Sequence, residues 1–195
     1  MGSAQARQSA IPGGGSAGQT TGPERKNEAM IRIRTATPQD EALLTALIAA
    51  SYRTLDNGQY DGANLASAMP FISKANPKLL ASGTYYVVEV GGVAAACGGW
   101  SFEKPGSGEW SEGVAHIRHF ATHPDYLRRG LARRLLDHCL REAKAAGARL
   151  MKSQATLPAA PFYASAGFET LGRIEVQTGP DIVLPALEME LSLGG

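Results

Sequence analysis

From residue 31 onward the apolar positions fall alternately into strand-like and helix-like spacings. Ile31-Arg32-Ile33-Arg34 alternates apolar and charged side chains, as a half-buried strand does. Thr37-Pro38-Gln39-Asp40 then predicts a helix start, because Thr37 can cap, Pro38 suits the first helical position and Asp40 completes a spacing like a capping box. Leu43, Leu44, Leu47 and Ile48 supply the apolar stripe of a helix reaching about Tyr52. From Asp56 to Gly83 the signals are mixed, and one or two short helices are expected near 64–72 and 77–81. Residues 84–90 and 93–101 are β-rich runs around Gly91-Gly92, a strong hairpin pattern.

A loop rich in Gly, Pro and Ser, 103–113, leads to a predicted strand at 114–122 that Pro124 stops. Between Arg129 and Ala146 the pattern is helical, with Leu131, Leu135, Leu136, Cys139, Leu140 and Ala143 on one face and Gly147 where a terminating glycine belongs. A strand at 148–154, a short helix at 158–166 ended by Gly167, and strands at 168–176 and 182–193 complete the order β, α, α, β, β, β, α, β, α, β, β. That order predicts an α/β fold with a mixed sheet.

Composition narrows the class. The 195 residues carry 19 Lys plus Arg against 18 Asp plus Glu, with 44% apolar residues, as a single globular domain does. Residues 1–29 contain six Gly and, apart from Met1, one large apolar residue, Ile11, so they are expected to be a disordered extension of a domain spanning 30–195. No run reaches the ~20 apolar residues of a membrane span, and no apolar signal core opens the chain, so the expectations are no membrane and the cytoplasm. Cys97 and Cys139 lie within apolar patterns and read as small buried side chains.

The overall charge of +1 hides an uneven distribution. Between His116 and Lys152 stand nine Lys or Arg against Asp125, Asp137 and Glu142, a local net of +6, and all four histidines fall in the same stretch. Arg128-Arg129-Gly130-Leu131-Ala132-Arg133 places a glycine, a small residue and three guanidinium groups at a helix start. The first N–H groups of a helix lack intrahelical partners and sit at its positive end, so the segment reads as a polyphosphate site. The alternative is a solvated basic helix start. A P-loop is excluded, since no Gly-Lys-Ser/Thr follows, and so is the three-glycine dinucleotide fingerprint. A nucleic-acid partner is not expected from this one patch, and no metal site is expected from His116, His119 and His123, because an odd spacing on a strand separates the first two onto opposite faces.

The run from His119 to Leu136, HFATHPDYLRRGLARRLL, followed by APFYASAGF from Ala160 to Phe168, resembles the two signature motifs of the GCN5-related N-acetyltransferases, the GNAT family. The element order over 30–193 fits as well. The resemblance implies the GNAT fold, a mixed central sheet of six to seven strands flanked by helices and splayed at the cofactor-binding strands, with acetyl-CoA as cosubstrate and no metal. Carried over by motif position, Phe120, Ala121 and Thr122 would face pantetheine, and Arg128, Arg129, Gly130, Ala132 and Arg133 would line the pyrophosphate. Two positions depart from the pattern. Leu127 stands where the family has Gln or Arg, and Thr156 stands near pantetheine where Asn is usual.

Acetyl transfer needs an unprotonated amine, stabilisation of the carbonyl oxygen, and a proton for the departing thiolate. The resemblance assigns the last role to Tyr163, whose phenol is protonated at neutral pH; the alternative is that Tyr163 only packs with Phe162 and Phe168. A backbone N–H near Ala121 or Thr122 would hold the oxyanion. For the base, His116 occupies the position where histone-type members carry Glu, and on a regular strand it would share a face with Arg118 and Phe120. Glu112 is the second candidate, and a water chain with no side-chain base is the third.

Tyr52, Tyr60, Phe71 and Gly98-Gly99-Trp100 are candidates to line an acceptor site, with Trp100 equally suited to the core. The remainder of the domain carries a net −6, compatible with a cationic acceptor. The expected activity is transfer of acetyl to the primary amine of a small molecule by direct attack in a ternary complex, and a homodimer would be compatible with it. The competing readings are an acyl-CoA-binding module that senses without turnover, and modification of a protein N-terminus or lysine, which would require an open groove.

Overall fold

A computed structural model describes residues 30–194; the extension expected at 1–29 lies outside the described residues. The chain forms β1 (Ile31–Thr35), α1 (Glu41–Tyr52), α2 (Gly62–Ile72), α3 (Pro77–Leu80), β2 (Tyr85–Val90), β3 (Val93–Ser101), β4 (Val114–Thr122), α4 (Leu131–Ala145), β5 (Leu150–Thr156), α5 (Ala160–Ser165), β6 (Glu169–Gly179) and β7 (Ile182–Ser192). The seven strands make one sheet in the order β1-β2-β3-β4-β5-β7-β6, antiparallel except for β4 beside β5.

Local chemistry explains the main boundaries. The Asp40 carboxylate accepts from the Thr37 N–H (2.8 Å) and hydroxyl (3.0 Å), fixing the 3-10 turn that feeds α1. Arg34 on β1 donates to the same carboxylate and to Glu89 on β2, so the entry to α1 is tied to the sheet edge. Asp61 and Asn76 cap α2 and α3 through their side chains. Gly91 and Gly92 both have positive φ, 60° and 84°, as the tight turn between β2 and β3 requires. No helix among the described residues is long and apolar enough to cross a membrane.

Two layers of core cover the sheet. On one side α1 and α3 bury Leu44, Leu47, Ile48 and Leu80 against Tyr85, Val87, Cys97 and Ala121. On the other, α4 and α5 bury Leu131, Leu135, Leu136, Cys139 and Tyr163 against Val88, Ala115, Ile117, Met151 and Ala155. Both cysteines are free and buried. Trp100, one of the two roles left open for it, belongs to this core at 4% exposure.

The sheet opens at its centre. β4 and β5 pair only where Val114, Ala115 and His116 face Leu150, Met151 and Lys152, while β5 stays paired with β7 along its whole length. Beyond His116 and Lys152 the two parallel strands diverge. β4 also breaks its own alternation: Cys97 faces Ala121 but Gly99 faces Arg118, so two residues of β4, His119 and Phe120, stand opposite one of β3, Gly98. The extra residue produces a bulge at His119, where φ is +51°. The expectation that His116 shares a face with Phe120 is therefore corrected. Phe120 packs with Ala115 and Ile117 on the α4 side, because the bulge reverses the parity of every residue after it.

Candidate active site

The divergence of β4 from β5 creates two adjoining clefts, one toward α4 and α5 and one toward α1 and α2. The first has a volume of about 360 Å³ and is lined by Phe120, Ala121, Thr122, Leu127, Ala132, Ser153, Thr156 and Tyr163, among others. The second, of about 300 Å³, is walled by Tyr52, Tyr60, Ile72 and Leu79 on one side and by Val176, Thr178 and Leu184 of the β6–β7 arm on the other. Tyr52, Leu55, Ile117, His119, Gln154 and Thr156 border both.

At the first cleft the backbone of β4 and of the start of α4 offers polar groups. His123 N–H donates to Ala95 O on β3 at 2.8 Å. By strand alternation the Ala121 amide also faces β3, while those of Phe120 and Thr122 lie on the open edge. Of the two amides expected to meet an oxyanion, that of Thr122 is on this edge, where it donates to Ser51 Oγ at 3.1 Å. Beyond Leu127 the chain turns through two left-handed residues, Arg128 (φ 60°) and Gly130 (φ 72°), into α4. The first α4 bond is Arg134 N–H to Gly130 O, so the amides of Leu131, Ala132 and Arg133 point out of the helix end.

A Cβ at Gly130 would meet nothing within 4 Å. The glycine is therefore needed for its backbone conformation, and the space above it is open to an approaching anion. Arg129 is held by Asp125 O (3.0 Å) and lies over the Tyr126 ring at 4.9 Å. Arg133 bonds Asp137 (2.9 Å) and reaches Ser165 O (3.4 Å). Arg128, Arg129, Gly130 and Arg133 thus continue the cleft outward from Leu127 and Ala132 without lining its inner part.

Tyr163 is buried among Phe162 (5.0 Å between ring centres), Phe168 (5.4 Å) and Phe120 (6.4 Å), yet borders the cleft. Burial pushes its pKa up, with hydrogen bonding to Ser153 working against the rise, so the phenol keeps its proton at neutral pH. The packing and the proton-donor readings are therefore compatible in one side chain. The Phe120 ring reaches this position because β3 offers Gly98 beneath it; a Cβ there would overlap the ring.

His116 is buried and borders neither cleft. Burial, then the cations Lys152, Arg118 and Lys104, push its pKa down to about 4, with Glu188 opposing. Glu112 is exposed, 3.8 Å from Arg149, and also lies away from both clefts. The histidine that faces them is His119. Its Nε2 is 2.8 Å from Ile72 O, its carbonyl accepts from Tyr85 Oη at 2.8 Å, and the Tyr52 ring lies 5.6 Å away. A carbonyl only accepts, so Nε2 carries the hydrogen and Nδ1 of the neutral ring is left with a lone pair. Burial lowers the pKa of His119, the Ile72 bond raises it and Arg118 lowers it, for a net decrease. A period-two strand pattern gave no sign of this position, because the bulge that aims His119 breaks the period.

The sequence model of the Acetyltransferase (GNAT) family matches residues 51–168, more than half of the chain. The chain belongs to the GNAT family of acetyltransferases. The GCN5-related N-acetyltransferase of Rhodopseudomonas palustris is 25% identical, with a TM-score of 0.65 over 84% of this chain and 95% of that one. An N-acetyltransferase of Thermoplasma acidophilum, solved with coenzyme A, has a TM-score of 0.62 at 14% identity, covering 84% of this chain and 99% of that one. A GNAT acetyltransferase of Brucella melitensis in complex with acetyl-CoA has a TM-score of 0.56 at 17% identity, covering 86% and 90%. No curated protein matches the chain. The splayed β4–β5 pair and the glycine-led α4 are thus the GNAT arrangement, and this chain is an N-acetyltransferase by family.

Proposed function

We propose that this GNAT enzyme moves the acetyl group of acetyl-CoA to the primary amine of a small molecule by direct attack in a ternary complex. The observation that carries the proposal is the meeting of the two clefts at the divergence of β4 and β5, bordered by His119 on both sides and by Tyr163 on one. The residues present fit a CoA thioester. Open-edge amides of β4 suit the amides of pantetheine, and outward N–H groups at the start of α4, with Arg128, Arg129 and Arg133 around Gly130, suit the pyrophosphate. Leu127 contributes apolar surface rather than a polar side chain, and Thr156 offers a hydroxyl, so the departures from the family pattern leave the backbone part of the site intact.

When bound, the thioester supplies an activated acyl group. The protein's own groups then have three tasks. Tyr163 holds a proton beside the cleft for the departing sulfur. The open-edge amide of Thr122, which donates to Ser51 Oγ in this structure, would turn to the carbonyl oxygen, where charge develops. His119, neutral and with Nδ1 unprotonated, accepts a proton from the attacking amine, directly or through water, so the base role moves from His116 to His119. The second cleft, walled on both sides and of about 300 Å³, suits a small acceptor better than a polypeptide groove would.

A thiol-release assay with acetyl-CoA and a panel of amines tests the proposal. Amine-dependent release of CoA, lowered at least ~100-fold in Tyr163→Phe, is the expected result. Tight acetyl-CoA binding with no amine able to accelerate release would instead favour a sensing module.

A further inference from the structure

The wall of the acceptor cleft contains no Asp, Glu or Lys; its one permanently charged side chain is Arg118. The arginine is half-buried, two residues beyond the end of the β4–β5 pairing, and its Nη1 donates to Ser101 Oγ (2.6 Å) and Glu103 O (3.2 Å). Both partners are uncharged. The neighbouring Glu103 carboxylate is taken by Lys78 at 2.5 Å, and among the described residues Arg118 forms no ion pair. Burial disfavours its charge and the nearby Glu103 carboxylate offsets that only in part, so an anion arriving in the cleft would relieve a cost already present in the fold. Guanidinium groups hold carboxylates through two parallel N–H bonds, and only Nη1 is engaged here.

From the cleft's composition we infer that the acceptor is an amine that also carries a carboxylate on an apolar body, with Arg118 anchoring the carboxylate and the amine lying toward His119. The apolar body is set by Leu55, Ile72, Leu79, Ile117 and Leu184, and the volume suits a side chain the size of leucine or phenylalanine. A purely cationic amine would instead meet Arg118 with no carboxylate to offset it, which reverses the expectation drawn from the net −6 of the remaining sequence. The inference rests on the acetyltransfer reading and names the substrate class of that same site.

Its test is a set of matched acceptors at saturating acetyl-CoA: L-phenylalanine against 2-phenylethylamine, L-leucine against 3-methylbutylamine, and O-phosphoethanolamine against ethanolamine. In the first two pairs the expected result is a preference for the carboxylated member of about 10- to 100-fold in kcat/KM, the size of a charge-assisted hydrogen-bonded contact. Arg118→Gln should remove that preference, acting through KM for the carboxylated amines and far less on their decarboxylated partners. Equal or better turnover of the decarboxylated amines overturns the inference, as does a preference that survives in Arg118→Gln. A preference confined to the phosphate pair overturns the carboxylate assignment.

A measurement on the unaltered protein covers a variant that fails to fold: 3-phenylpropanoate should inhibit acetylation of 2-phenylethylamine, and 3-phenylpropanamide should inhibit at least ~10-fold less well. If no amine of any kind releases CoA, the acetyltransfer reading has failed. The anion site is then decided separately by calorimetric titration of 3-phenylpropanoate against the amide, where equal or absent binding overturns it.

Discussion

The two clefts at the centre of the sheet differ in what they are made of. The one toward α4 owes its anion-binding part to one continuous segment and to its backbone: open-edge amides of β4, a turn with two left-handed residues, and the unpaired first N–H groups of α4. The one toward α1 is built from side chains brought together from α1, α2, β4, β5 and the β6–β7 arm. A backbone-built site tolerates substitution, which is why Leu127 and Thr156 leave it recognisable. A site made of side chains carries specificity instead, and in the proposed reading Arg118 and His119 set this chain's choice of acceptor.

The largest difference between the clefts is expected at Gly130. Gly130→Asp forces a side chain onto a residue at φ 72° and puts a carboxylate where the phosphates are expected. The KM for acetyl-CoA should rise ~100-fold or more, by the same factor with every acceptor. Different factors for different acceptors would mean that the clefts are not separable. Tyr163→Phe keeps the ring and its packing, and should lower kcat by about 100-fold or more with little change in either KM.

His119 sharpens the comparison because it borders both sides. Asn tolerates the left-handed conformation better than most residues, so His119→Asn should keep the bulge while lowering kcat/KM for the amine by about 10- to 100-fold and removing the acid limb of the pH–rate profile. His116→Gln should retain that limb. An unchanged acid limb in His119→Asn would return the base role to a water chain.

The smallest effect is on stability. Burial lowers the pKa of His116, to about 4, and also lowers those of His119 and His138. Between the ordinary histidine value of about 6.5 and about pH 4 the unfolded chain binds protons that the folded chain refuses, so stability is complete above that window and is lost as pH falls through it. Allowing for screening, His116 should account for about 1–3 kcal/mol. Urea unfolding at pH 7.5 and pH 5 measures the loss, and His116→Gln should flatten it.

Much of the fold was legible because its signals are local. The Gly91-Gly92 hairpin, the stripe from Leu131 to Ala143 and the Thr37-to-Asp40 helix start each depend on neighbours within a few positions. The start of α4 was legible for the same reason. The acceptor cleft was not, because its walls are 126 positions apart in sequence between Tyr52 and Thr178 and meet only in the folded sheet. His116 was a candidate base by motif position and by alternation; alternation assumes a regular strand, and the extra residue at His119 puts Phe120 on the face opposite His116. The +6 segment likewise hid two environments, with Arg128 and Arg129 on the exposed loop and Arg118 half-buried at the other cleft.

In the proposed reaction both substrates occupy adjoining clefts at once and the amine attacks directly. Initial rates of CoA release, measured over a grid of acetyl-CoA and amine concentrations, test it most directly. A ternary complex requires saturation in both substrates and double-reciprocal lines that intersect. Parallel lines, or release of CoA that no amine accelerates, would contradict it.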